Sequence, residues 1–208
     1  MNRPSCAIKL VDGLTGQLVD AILFEGLSEK NIQDHEELWI PVLEKANKIS
    51  KEKGERLVVA EDAHWRWSKK VNSTAGQLAF RHYAIEYENI TEGLMLIALV
   101  GHQSRITPSK DIVYIDYLSV APANRQVIQT PPKLKAIGSV FFNYAIQVSV
   151  EEGMNGRIGL HALPNAASWY RDKLGLTPFG KDFSYHNLEY FELSEKKSQK
   201  MLETLNAQ

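Results

Sequence analysis

The stretch Asp111-Ile112-Val113-Tyr114-Ile115-Asp116-Tyr117-Leu118-Ser119-Val120-Ala121-Pro122 decides how the rest of the chain is read. Its β-branched and aromatic residues predict a strand over Ile112 to Val120, and Pro122 ends it by removing a ladder donor and fixing φ. A polar loop follows, and then Lys133-Leu134-Lys135-Ala136-Ile137-Gly138-Ser139 opens a helix. Over Leu134 to Glu152, the residues Ile137, Val140, Phe141, Tyr144 and Val148 recur with helical rhythm, which predicts a helix laid on a sheet and ending near Gly153. Arg157 to Ala162 reads as the next strand. Asn165-Ala166-Ala167-Ser168-Trp169-Tyr170 then opens a short helix that stops at Leu174-Gly175-Leu176.

Toward the amino end, Ala7 to Val11 and Gln17 to Phe24 are apolar segments around the turn-rich Asp12-Gly13-Leu14-Thr15-Gly16, so a hairpin is expected at one edge of the sheet. Asp34 and Glu37 have the spacing of a capping box, and Leu38, Val42, Ala46 and Ile49 recur at helical intervals until Gly54. Pro41 inside this run requires the helix to begin or kink there. A short strand is expected over Arg56 to Ala60 and a helix over Asp62 to Val71. Two further strands, Leu78 to Tyr87 and Gly93 to Val100, are joined by a polar turn from Glu88 to Glu92, the second being central. Trp65 and Trp67 cannot both face the core of one helix, so one lines a cleft, an interface or a loop-covered core. Ser194 to Leu205 reads as a peripheral helix. The alternation of elements predicts an α/β or α+β fold around one mixed sheet.

Composition narrows the function. With 208 residues, 44% of them hydrophobic and 24% charged, the chain can bury one core, and a single domain over 1–208 is expected. A net charge of −1 gives no field to gather nucleic acid or an anionic membrane surface. The apolar runs Gly93 to Gly101 and Ile137 to Ile146 fall short of the ~20 residues that cross a bilayer. Cys6 is the single cysteine, which excludes an intrachain disulfide, and with no signal-peptide pattern at the amino end the reading is cytoplasmic. His35, His64, His82, His102, His161 and His186 are scattered without ligand spacing, so no metal site is expected. Nor does the chain contain a Gly-Lys-Ser/Thr phosphate loop, a Gly-x-Ser-x-Gly elbow or a dinucleotide fingerprint.

Strand, glycine-bearing helix start, strand and Asn/Tyr helix, in this order, resemble the GNAT superfamily of CoA-dependent N-acyltransferases. The resemblance covers roughly the C-terminal half. In the family's pyrophosphate motif, Gln/Arg-x-x-Gly-x-Gly/Ala, the defining places fall on Lys133, Ala136 and Gly138, so that Gln126 to Pro132 reads as an insertion. Arg125 stands where the family's arginine often does. Asn165, Tyr170 and Leu174-Gly175-Leu176 match the second half of the pattern.

The resemblance implies a GNAT-like fold, a central mixed and mostly antiparallel sheet flanked by helices. Residues 1–92 would form an acceptor-side half, 93–193 a CoA-binding half and 194–208 a C-terminal helix. It implies acetyl-CoA as acyl donor and a primary amine of a small molecule or protein as acceptor. Main-chain groups of Leu118 and Val120 would hold the pantetheine arm. Lys133, Lys135, Ala136, Gly138 and Ser139 would hold the pyrophosphate, and Asn165 would either bond the pantetheine amides or cap its helix.

Tyr170 would donate a proton to the leaving sulfur, and Asp116 or His161 would accept one from the amine, with Glu86 and Glu88 as weaker candidates. Each residue also has a plain structural reading: close helix packing for Ala136 and Gly138, core packing for Leu118, Val120 and Tyr170, and a hydrogen-bonded interior polar group for Asp116 and His161. Two other functions fit the resemblance. One is a CoA-binding or sensing module without turnover. The other, an aminoacyl-tRNA-acetylating toxin, is disfavoured by the balanced charge. A homodimer is expected by analogy alone.

Overall fold

The computed structural model describes residues 3–54 and 59–206. The expected hairpin is present: β1 (Ser5–Asp12) and β2 (Leu18–Glu25) pair antiparallel from Ser5↔Phe24 to Val11↔Leu18. Asp12 builds the turn, its Oδ1 accepting hydrogen bonds from the Leu14 and Thr15 amides at 3.0 and 2.7 Å. The first helix departs from expectation. Ser28 and Asn31 make the capping box of α1 (Glu29–Asp34), whereas Asp34 accepts from the amide and hydroxyl of Thr91. A π-helical turn over His35–Trp39 leads into α2 (Ile40–Glu52). Pro41 lies in the first turn of α2, and the wider turn before it removes the clash its ring would make in a continuous α-helix.

The helix predicted from Asp62 begins later, as α3 (Trp67–Thr74), because Asp62 is drawn into an ion pair instead of capping a helix. Of the strand predicted over Arg56 to Ala60, positions 56–58 lie outside the described residues. Val59 and Ala60 are not in a strand, and Ala60 bonds through its amide and carbonyl to the side chain of Asn47. β3 (Phe80–Tyr87) and β4 (Ile90–Ala98) are joined at Glu88 and Asn89, both left-handed with φ of 51° and 61°, so the turn is shorter than predicted and β4 starts three residues earlier. After Ile90, β4 is buried throughout, as a central strand requires.

Next come β5 (Val113–Val120), β6 (Leu134–Lys135) and α4 (Ile137–Glu151). Leu134 and Lys135 were expected in the helix. They pair instead with Asp12 and Val11 at the sheet edge, and Ala136, at φ 74°, turns the chain into the helix. β7 (Ile158–Ala162), α5 (Pro164–Ser168), a π turn over Trp169–Lys173, β8 (Thr177–Asp182), β9 (Leu188–Leu193) and α6 (Glu195–Asn206) complete the described chain. Among the described residues the sheet has nine strands in the order β6-β1-β2-β3-β4-β5-β7-β9-β8. It is mixed: β5 and β7 run parallel, while β1 with β2, β2 with β3, β7 with β9 and β8 with β9 are antiparallel. This is the mixed sheet flanked by helices that the sequence predicts.

By contacts the chain divides into two compact units. The first comprises Met1–Met95 and Leu118–Val140, and its buried side chains include Leu10, Leu23, Trp39, Leu43, Trp67, Tyr83 and Leu94. The second comprises Leu96–Tyr117 and Phe141–Gln208, with Val113, Phe141, Phe142, Ile158 and Phe191 in its core.

Candidate active site

In the first unit the end of β5 is held by a buried ion pair. Arg125 donates from Nη1 and Nη2 to the two carboxylate oxygens of Asp62 at 2.6 and 2.7 Å, and from Nε to the Val120 carbonyl at 2.9 Å. Ser119 Oγ donates to the same carboxylate at 3.0 Å. Burial pushes the Asp62 carboxyl up, but the bonds and charge of Arg125, with Ser119, prevail and hold it below the usual range.

A second buried acid closes the loop that follows. Glu92, 1% exposed, takes Lys133 Nζ at 2.5 Å and Asn124 Nδ2 at 2.7 Å. Asn124 Oδ1 accepts the Leu134 amide at 2.9 Å, and the Lys133 amide bonds the Ala123 carbonyl at 2.7 Å. The segment from Arg125 to Pro132 is therefore tied across its base and looped out. The chain re-enters beside Ala123. The ammonium of Lys133 is engaged with Glu92, while Lys135 and Ala136 are exposed and Gly138 and Ser139 are half-buried in the first turn of α4. A left-handed residue followed by a helical one aims successive N–H groups into one concavity, and Ala136-Ile137 has this arrangement at the positive end of a 15-residue helix.

On the β7 side of β5 the ladder spans Val113–Ile115 against Ile158–Leu160, and β5 continues through Leu118 to Val120 beyond its last rung. The side chains of Leu118 and Val120 are half-buried.

In the second unit Asp116 is half-buried on β5. His161 is enclosed. Its Nδ1 lies 2.6 Å from Tyr114 Oη, and its ring stacks on Tyr185 at 4.0 Å. Nε2 is 3.4 Å from Asp182 Oδ2, within ion-pair range but without hydrogen-bond geometry among the described residues. Asp182 is itself bound by Arg105 at 2.5 Å, and His102 stacks on Tyr114 at 3.9 Å. Burial, and then the charge of Asp116, push the Tyr114 phenol upward, so it keeps its proton while it shares a hydrogen bond with Nδ1. Burial lowers His161, more than Asp182 raises it, which favours the neutral imidazole.

Tyr170 is buried within the π turn, edge-on to Trp169 at 5.0 Å and 6.2 Å from Phe191, and burial raises its phenol. Asn165 is exposed inside the first turn of α5. The cap position falls on Leu163 with Pro164 behind it, so the helix-capping alternative for Asn165 is corrected. Trp67 is fully buried and Trp65 half-buried under Lys70. A cleft of about 420 Å³ in the first unit is lined by Val42, Ala46, Ile49, Val127, Ile128 and Lys45, among others, and neither tryptophan reaches it.

The Asp62–Arg125, Glu92–Lys133 and Arg105–Asp182 pairs escaped the sequence reading because their partners stand 63, 41 and 77 positions apart. Glu92 stands at the border of the apolar run from Gly93, whereas Asp116 stands inside one. Among the described residues no group of His, Cys, Asp and Glu is arranged to hold a metal ion, and no helix is long and apolar enough to cross a membrane.

No protein-family model matches the sequence, and no curated protein matches it. Solved structures do share the fold. The GNAT domain of S. lividans PAT is 13% identical, with a TM-score of 0.55 over 92% of this chain and 99% of that one. The PaiA N-acetyltransferase of Thermoplasma acidophilum, solved with coenzyme A, is 12% identical, with a TM-score of 0.51 over 82% and 97%. A mutant BH1408 protein of Bacillus halodurans is 18% identical, with a TM-score of 0.50 over 77% and 95%.

Proposed function

We propose that this chain, which has the GNAT fold, is an acyl-CoA-dependent N-acyltransferase that moves an acetyl group onto a primary amine of a small molecule or protein. The observation that carries the reading is β5 running past the end of its ladder with β7. A strand segment beyond its ladder suits an extended ligand with amides of its own, which binds as an added strand. The pantetheine arm has that chemistry, and Leu118 and Val120 would hold it through their main chain. The left-handed Ala136 and the first turn of α4 fit a diphosphate, with Ala136, Gly138 and Ser139 offering main-chain groups and exposed Lys135 a cation. The coenzyme A in the PaiA structure supports the same reading.

Acyl-CoA supplies the acyl group as a thioester, activated toward an amine. Asp116 accepts the proton of the incoming ammonium, directly or through water. It is the better of the two candidate bases, because Tyr114 occupies His161 Nδ1 and Nε2 is buried. Tyr170, held protonated by burial, donates to the departing sulfur. Asn165, exposed at the start of α5, would bond the pantetheine amides.

The test is release of free thiol from acetyl-CoA across a panel of primary amines. Turnover with at least one amine is expected, and Tyr170→Phe should slow it by about 10²–10⁴ while acetyl-CoA affinity stays unchanged. Binding without turnover on any amine would instead favour a sensing module. An undiminished rate in Tyr170→Phe would remove that residue from the proton transfer.

A further inference from the structure

We infer that Asp62 and Arg125 are positioning residues for the acyl-bearing end of the cofactor, acting through the main chain of β5 and not through phosphate. The inference rests on the acyl-CoA reading above. Arg125 occupies the place where the resemblance would put a phosphate-binding arginine, yet its guanidinium is turned inward. Its side chain is 14% exposed and that of Asp62 8%. The two Nη groups clasp both oxygens of Asp62 in a fork that lysine cannot reproduce, and Nε reaches the Val120 carbonyl. Ser119 Oγ closes onto the same carboxylate. One ion pair therefore fixes the side chain of Ser119 and the carbonyl of Val120, the last two residues of β5.

Those residues lie beyond the β5–β7 ladder, and Ala121 and Pro122 follow them. Ala121 N on the Glu92 carbonyl, at 2.9 Å, ties the chain just after the strand to β4, and Asp62–Arg125 adds the anchor for Ser119 and Val120 themselves. Main-chain groups that hold a thioester act only when held in place, and a displacement near 1 Å can cost about a hundredfold. The ion pair thus sets the register of the segment proposed to hold pantetheine, whereas the phosphate cradle at Ala136–Ser139 has its own support in β6 and α4.

The experiment titrates two ligands, acetyl-CoA and its nucleotide half 3′-phospho-ADP, into wild type and Arg125→Lys. Arg125→Lys keeps the charge and loses the fork. Acetyl-CoA affinity should fall at least tenfold, with 3′-phospho-ADP affinity within twofold of wild type. A paired replacement, Asp62→Asn with Arg125→Gln, leaves no lone buried charge should the single variant fail to fold, and it should show the same selectivity.

Equal loss of both ligands would make Arg125 a phosphate ligand or a general structural element and overturn the inference. Unchanged affinity for both, or failure of both variants to fold, overturns it as well. A wild type that binds neither ligand removes the acyl-CoA reading itself, and the inference with it.

Discussion

His35 is 2% exposed, and its Nδ1 has no hydrogen-bond partner among the described residues. Burial lowers its pKa to about 4, more than the opposing pull of Asp62 and Glu36 can offset, with Arg66 and Arg125 adding to the lowering. The unfolded chain, titrating near 6.5, binds the proton more readily than the folded one. Between pH 6.5 and about 4 the protein should therefore lose stability, by about 3 kcal/mol from this residue. Thermal melts across that range should show the loss in wild type and a shallower fall in His35→Leu. Parallel curves would place the acid sensitivity elsewhere. A histidine in a helix pattern gives no sign of being buried unpaired, because the sign lies in groups brought around it from distant segments. The same holds for Lys133, whose partner Glu92 is 41 positions away. Tyr170, by contrast, is singled out by the short motif around it, whereas its burial in a π turn has no sign in that motif.

At the scale of elements, periodicity carried most of the reading. The β1–β2 hairpin, the buried central strand β4 and the α4 helix face all follow from spacing of apolar residues within a short window. What failed depended on partners outside the window. Leu134 and Lys135 continue a helical rhythm in sequence yet join the sheet, because the tied loop delivers them to the edge of β1.

The hairpin turn is part of that delivery: Gly13 donates its amide to Lys133 O at 2.8 Å, and a Cβ at Gly13 would lie 1.5 Å from Pro132 O. Since the clash is with backbone, Gly13→Ala should destabilise by about 3 kcal/mol and lower Tm by roughly 6–12 °C. A melting curve unchanged in Gly13→Ala would mean that the loop from Gln126 to Pro132 moves freely against the hairpin.

At the scale of the whole molecule, the chain has a GNAT-like fold although no family model matches its sequence. Two of the cations in the region of the motif, Arg125 and Lys133, are engaged with Asp62 and Glu92, so the diphosphate would rest on main-chain donors with Lys135 in support. Such a substitution of backbone for side chain would let a motif that lacks two of its three usual residues still hold a diphosphate.

The direct measurement is a calorimetric titration of acetyl-CoA into wild type and Gly138→Trp, whose indole would fill the diphosphate cradle. Micromolar binding by wild type and its loss in the variant are expected, with both proteins unfolding cooperatively. No binding by wild type at millimolar acetyl-CoA would contradict the acyl-CoA reading.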